Sequence, residues 1–207
     1  MLEPTKGLFT FRAEGSNTPS STYYSRKIHW PGKTSFCTVN NSGVTIGRGY
    51  DLGSRIKSTV YMDLINSGAD KETAEKISEG AGLHACSAMQ FVADNRDKIK
   101  EISEQTQLNL FNLIYPGYED NAKGFYHRQI ENRYKKDKTF PKPETWDNLD
   151  GKVKEIFVDV FYQGQMSLNF AKLCSQNNRK SLADFIESSS KYNQYENGRH
   201  RAKYLRE

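Results

Sequence analysis

Four glycines punctuate one stretch of thirteen residues, "NSGVTIGRGYDLG" (41–53), and nothing else in the chain restricts its folding so sharply. Glycine adopts positive φ without penalty and lets another backbone or a ligand approach closely. The stretch opens on the turn signal "NNSG" and carries the β-branched run Val44, Thr45 and Ile46, so it reads as a small hairpin. With "FCTV" (36–39) as a further strand, it predicts a hairpin or a three-stranded sheet. Glycine-rich loops also cradle phosphate, but "GRG" is not GxGxxG and no lysine-bearing phosphate-loop sequel follows it.

On either side the pattern is helical. Residues 5–14 predict a short helix ending at Glu14-Gly15. After Gly53, Ile56, Val60, Leu64 and Ile65 fall on one helical face that Gly68 ends. Asp70 caps a second helix with Ala74 and Ile77, and a third runs near 84–95. A fourth carries Leu108, Phe111 and Ile114 and stops at Pro116. Residues 119–137 form a charged helix with Phe125, Tyr126, Ile130 and Tyr134 as its apolar stripe, before the linker "TFPKPETW" (139–146). Asp150 opens another helix closed by Gly164, and Ser167 and Ser181 cap two more. This order predicts an α+β class: one domain with a small β-containing lobe, about 1–68, and a larger helical lobe, about 69–207.

Composition removes several functions. The 207 residues suffice for one such domain, and no apolar run approaches the roughly 20 residues that span a bilayer, so no membrane insertion is expected. The start "MLEPTKGLFT" lacks a secretory signal. Lys and Arg number 30 against 25 Asp and Glu, a surplus that favours anionic partners. No basic stretch interleaves with aromatics, so nucleic acid is not expected. Cys37, Cys86 and Cys174 are odd in number and widely spaced, which reads as three reduced thiols. His29, His84, His127 and His200 show no metal-ligand spacing, so neither metal nor cofactor is implied.

Glycosidic cleavage uses two carboxyl groups in unlike surroundings. Glu14 ends an apolar segment (Leu8, Phe9, Phe11) and suits a general acid; its plain reading from position alone is a surface glutamate at a helix end. Thr45 could hold a water against a sugar ring, and Asp51 could orient and deprotonate it; their plain readings are a strand residue and a turn or cap. Tyr24 and Trp30 offer faces for pyranose stacking or for packing. Arg26 and Arg48 suit peptide or lactyl carboxylates, or surface pairing.

With these residues in place, the chain resembles phage-type lysozymes, and most of all the pesticin-like muramidase domains of antibacterial toxins and secreted effectors. The segments that carry the likeness are "FRAEG" (11–15), "HWPG" (29–32), "SGVTIGRGYDLG" (42–53), "VFYQG" (160–164) and "YNQYENGRHRAKYL" (192–205), in the family's order; residues 84–150 match nothing in it. The resemblance implies a lysozyme-like fold with Glu14 as general acid, Thr45 as the water-holding threonine and Asp51 as the catalytic aspartate. In ordinary phage enzymes that aspartate precedes the TIG motif by six residues, which falls at Val39 here. Asp51 instead follows Thr45 by six, the Glu, Thr, Asp order of the pesticin type. Tyr50 stands where phage enzymes have a histidine, and Tyr162 and Gln163 fall in a segment that lines the helical side of their cleft.

The activity so implied is an N-acetylmuramidase cleaving the β-1,4 bond of peptidoglycan glycan strands. Inversion would place the two carboxyls about 6.5–9.5 Å apart. A monomer is expected, acting in the bacterial periplasm or cell wall after delivery by a secretion system or within a larger toxin, with a cognate immunity protein as partner. The rivals are a lytic transglycosylase, which needs one glutamate and no bound water, a chitin- or chitosan-cleaving enzyme, and a catalytically silent wall-binding module.

Overall fold

The computed structural model describes residues 2–207: a mostly helical chain with one two-stranded antiparallel sheet. It divides into two compact units, Met1–Ile114 and Tyr115–Glu207. The boundary therefore lies well beyond the expected 68. Long-range bonds explain the shift: Ile102 N–H donates to Arg26 O (2.9 Å), and the Gln107 amide meets both Ser25 Oγ (2.7 Å) and Asn17 Oδ1 (2.7 Å).

The first unit opens with α1 (Leu8–Ala13), started by Gly7 at φ 69° and ended at Glu14, whose N–H donates to Thr10 O. Phe11 anchors this short helix, its ring edge-on to Phe111 at 5.1 Å. The hairpin is β1 (Thr45–Ile46) and β2 (Tyr50–Asp51), with Thr45 opposite Asp51 and Ile46 opposite Tyr50. Its loop needs glycine at both ends, since Gly47 and Gly49 sit at φ 64° and 88°. No third strand joins the hairpin among the described residues; beside β1 stands one bridge, in which His29 and Thr45 exchange backbone bonds of 2.8 Å. "FCTV" is not a strand. Thr34–Phe36 makes a single 3-10 turn, and the Phe36 carbonyl takes the amides of Val39 and Asn40, which leaves no partner edge for a ladder.

Three helices follow: α2 (Lys57–Asn66), α3 (Lys71–Ser78) and α4 (Ala85–Asn95). Asp70 caps α3 by accepting from Thr73 N–H (2.9 Å), a sequence-local contact that the pattern shows directly. Ile56 stays exposed ahead of α2, whose buried face is Val60 and Leu64. The cysteines overturn the expectation of three thiols. Cys37 and Cys86 form a disulfide with their Cα atoms 4.8 Å apart, and only Cys174 is free. A closure spanning 49 positions limits the unfolded chain by on the order of 4 kcal/mol in the loop-entropy view.

Helix α5 (Glu104–Tyr126) runs through Pro116, contrary to the expected stop. Pro116 is exposed, while Leu108, Phe111, Ile114, Tyr115, Ala122 and Tyr126 are buried on either side of it. Burial along the whole length outweighs one lost backbone bond.

The second unit continues through a π-helical turn (His127–Glu131), α6 (Asn132–Lys136), α7 (Gly151–Tyr162), α8 (Leu168–Ser175), α9 (Arg179–Ser188) and three short helices, α10 (Ser190–Asn193), α11 (Glu196–Arg199) and α12 (Arg201–Arg206). Asp150 and Ser167 cap α7 and α8 as expected, whereas α9 is capped by Asn178, which accepts from Ser181 N–H (2.9 Å). Val153, Ile156, Phe157 and Val160 form the buried face of α7, with Trp146 and Tyr126 each packed against Phe157. Among the described residues, no helix is long and apolar enough to cross a membrane.

Candidate functional site

The register of the hairpin decides where its polar side chains point. Residues directly opposite in an antiparallel pair share a face, with β-carbons about 4.5–5.5 Å apart. Thr45 and Asp51 are such a pair, so the strands bring them together. His29 pairs with Thr45 from the other side, making a row His29–Thr45–Asp51 on one face. His29 has no counterpart among the expected site residues, because pairing between segments sixteen positions apart leaves no local signal. Burial pushes its imidazole below the ordinary range; the hydrogen bond to Lys27 O and the charge of Asp51 oppose that shift.

Asp51 is held by backbone alone. Gly43 N–H donates to Oδ2 (3.1 Å) and Gly53 N–H to Oδ1 (2.6 Å). The glycines are obligatory for this seat: a β-carbon at Gly43 would overlap the Asp51 carboxylate and the Gly53 backbone, and one at Gly53 would strike the His84 ring. The amides that a phosphate loop would present are thus already bonded to the chain's own carboxylate. Thr45, 4% exposed, donates its hydroxyl to Gly43 O (3.3 Å) and keeps its lone pairs for another donor.

Glu14 is half-buried at the C-terminal end of α1. Beneath that end lies Arg48, expected to meet glycan carboxylates but in fact 3% exposed. Its guanidinium donates to Phe11 O (3.1 Å), Gly15 O and Asn17 Oδ1 (3.0 Å), and stacks 4.6 Å from the Phe11 ring. Burial pulls its pKa down to about 10, partly offset by the charges of Glu14 and Glu104. Arg48 therefore ties the hairpin loop to the helix that carries Glu14.

Tyr50 is fully buried, donates to Asp63 Oδ2 (2.6 Å) and lies under Arg55. Burial raises its hydroxyl well above the usual range, and it faces no open space. Tyr24, also buried, converges with Arg26 on Glu101. Arg26, with Asp70, Thr73, Lys100 and Ser103, lines a cavity of about 320 Å³. Trp30 stays half-exposed, its indole N–H donating to Ser42 O (2.9 Å) and its ring covering Gly32. Tyr162 and Gln163 belong to the second unit. Tyr162 is buried with its ring 4.3 Å from Tyr118, and Gln163 Oε1 accepts from Arg201 Nη2 (2.7 Å). No cluster of three or more His, Cys, Asp or Glu among the described residues could hold a metal ion.

These features define a mostly helical α+β protein whose small hairpin seats its own aspartate on glycine amides. A family model described as a domain of unknown function (DUF8812) matches residues 7–204, and the chain belongs to that family. No curated protein matches it.

Proposed function

We propose that the chain is a lysozyme-like, inverting N-acetylmuramidase that hydrolyses the β-1,4 bond of peptidoglycan. The observation that carries this reading is the seat of Asp51 opposite Thr45. Each carboxylate oxygen takes one backbone N–H and retains lone-pair capacity, and Thr45 Oγ1, on the same face, keeps acceptor lone pairs, so in this reading the two share the attacking water. Glu14 donates its proton to the glycosidic oxygen as the C–O bond breaks. The water attacks the anomeric carbon from the opposite face, Asp51 accepts its proton, and the product anomer is inverted. Arg48 holds the end of α1 against the hairpin loop and so sets where Glu14 stands.

The Cys37–Cys86 bridge suits an oxidising compartment, which supports action in the periplasm or wall after delivery. A toxin of this kind needs a cognate immunity protein in the cell that makes it.

The test is release of soluble fragments from purified peptidoglycan, with mass spectrometry of the products. Wild type is expected to give reducing N-acetylmuramic acid ends, with Glu14→Gln and Asp51→Asn each slower by about a hundredfold or more. Anhydro ends insensitive to Asp51→Asn identify a transglycosylase, and binding without release by wild type leaves a wall-binding module.

A further inference from the structure

The seat of Asp51 is itself braced from outside the hairpin. His84 pairs with Gly43 through an antiparallel bridge, so the same short turn that starts α4 fixes the strand whose amide holds Asp51 Oδ2. Its ring lies against Gly53, whose amide holds Oδ1, and its Nδ1 donates to Asn41 O (3.1 Å). Ala85 N–H adds a bond to Ser42 O (3.0 Å), where the Trp30 indole also donates. Ala85 does this at φ 53°, a conformation an alanine keeps only when its surroundings impose it. The next residue, Cys86, is covalently tied to Cys37, which belongs to the same loop that leads into Gly43. Three consecutive residues thus hold residues 37–43 by a side-chain hydrogen bond, backbone pairing and a disulfide.

We propose that the His84–Cys86 turn and the Cys37–Cys86 bridge form a redox-dependent brace that keeps the Asp51 seat closed, so that hydrolysis requires the bridge. The proposal rests on Asp51 acting as described under the proposed function. His84 is a positioning residue here, acting through Gly43 and Gly53. As the Cys37–Cys86 S–S bond forms by thiol–disulfide exchange, the S–S bond of a disulfide oxidant breaks, and that oxidant takes up the two electrons and two protons and leaves as a dithiol. In a reducing cytoplasm the two thiols are separate, residues 37–43 lose their covalent tie, and the seat opens. Transfer to an oxidising compartment closes it.

The experiment compares the full chain oxidised, the full chain reduced, and the Cys37→Ser/Cys86→Ser double variant. Two readouts are taken: hydrogen exchange at the Gly43 and Gly53 amides, and fragment release from purified peptidoglycan. Cys174 is buried, so alkylation after reduction reports the other two cysteines. Loss of the bridge is expected to speed exchange at both amides by at least about tenfold, leaving Phe157 and Val160 in α7 unchanged. Release should fall by roughly a hundredfold, the cost of displacing a catalytic group by about an ångström. His84→Asn, which keeps a donor for Asn41 O, should retain more release than His84→Ala. Unchanged exchange at Gly43 and Gly53 overturns the brace, as does full release by the reduced chain. Faster exchange with no release in either redox state sinks the hydrolase reading while the brace stands.

Discussion

Each unit of the protein buries an arginine, and the groups recorded around the two differ in kind. In the second unit Arg201, fully buried, donates to Asp159 Oδ2 (2.6 Å), and Arg199 takes the other carboxylate oxygen (2.8 Å). In the first unit Arg48 donates to the backbone carbonyls of Phe11 and Gly15 and to the Asn17 amide oxygen. Around Arg201 the carboxylate is buried with the cation, whereas at Arg48 carbonyl dipoles share the solvation and the charges of Glu14 and Glu104 act on the guanidinium. The pair around Asp159 belongs to the architecture of its unit. Arg48 lies within electrostatic reach of the one residue proposed to donate a proton.

The contrast breaks most visibly in stability. Arg201→Met leaves a buried Asp159 with one partner fewer and is expected to cost about 3–5 kcal/mol in urea denaturation, with Asp159→Leu added to it recovering part of the loss. A second substitution that recovers nothing would mean that the cluster is not an ion pair in energetic terms.

Arg48→Met should cost less. Burial holds the Arg48 guanidinium down at about 10, so its charge already costs the folded state something, and removing the charge offsets part of what the lost bonds take away. A net change within about 2 kcal/mol is expected, because the Phe11 and Gly15 carbonyls lose a donor. Peptidoglycan release, by contrast, should fall more for Arg48→Met than for Arg201→Met at equal folded fraction. The reverse ranking would remove Arg48 from the positioning of Glu14.

The smallest effect concerns pH. His29 is held below its ordinary value, so on acidification the unfolded chain takes up the proton first and stability falls below about pH 6.5. The slope from this one group is at most about 1.4 kcal/mol per pH unit. His29→Gln should flatten the stability profile between pH 7 and 5 by up to that amount; an unaltered slope would place the acid sensitivity elsewhere.

What the sequence revealed was local. Asp70, Asp150 and Ser167 sit next to the amides they cap, and the Gly47–Gly49 loop advertises positive φ by composition. The alignment of Thr45 with Asp51 follows from a three-residue hairpin loop, so it too was within reach. What stayed hidden depends on distant partners. Cys37 meets Cys86 across 49 positions, His29 reaches Thr45 from outside the hairpin, and Arg48 reads as an exposed turn residue until α1 lands on it. Pro116 misled for the same reason: a breaker is judged by its own missing N–H, while the burial that overrides it lies along the rest of the helix.

The bridge also changes what a cut chain is. Residues 37–86 make a closed covalent ring that contains Thr45, Asp51, α2 and α3. A single proteolytic nick inside that ring releases no fragment, because both new ends stay joined through the sulfurs. A nick between Gly15 and Gly32 instead detaches the piece bearing Glu14 and leaves it joined to the rest by packing and hydrogen bonds alone. In surroundings rich in proteases, the half of the pair that sits on the ring is covalently insured, and the half on α1 depends on how well Arg48 grips it.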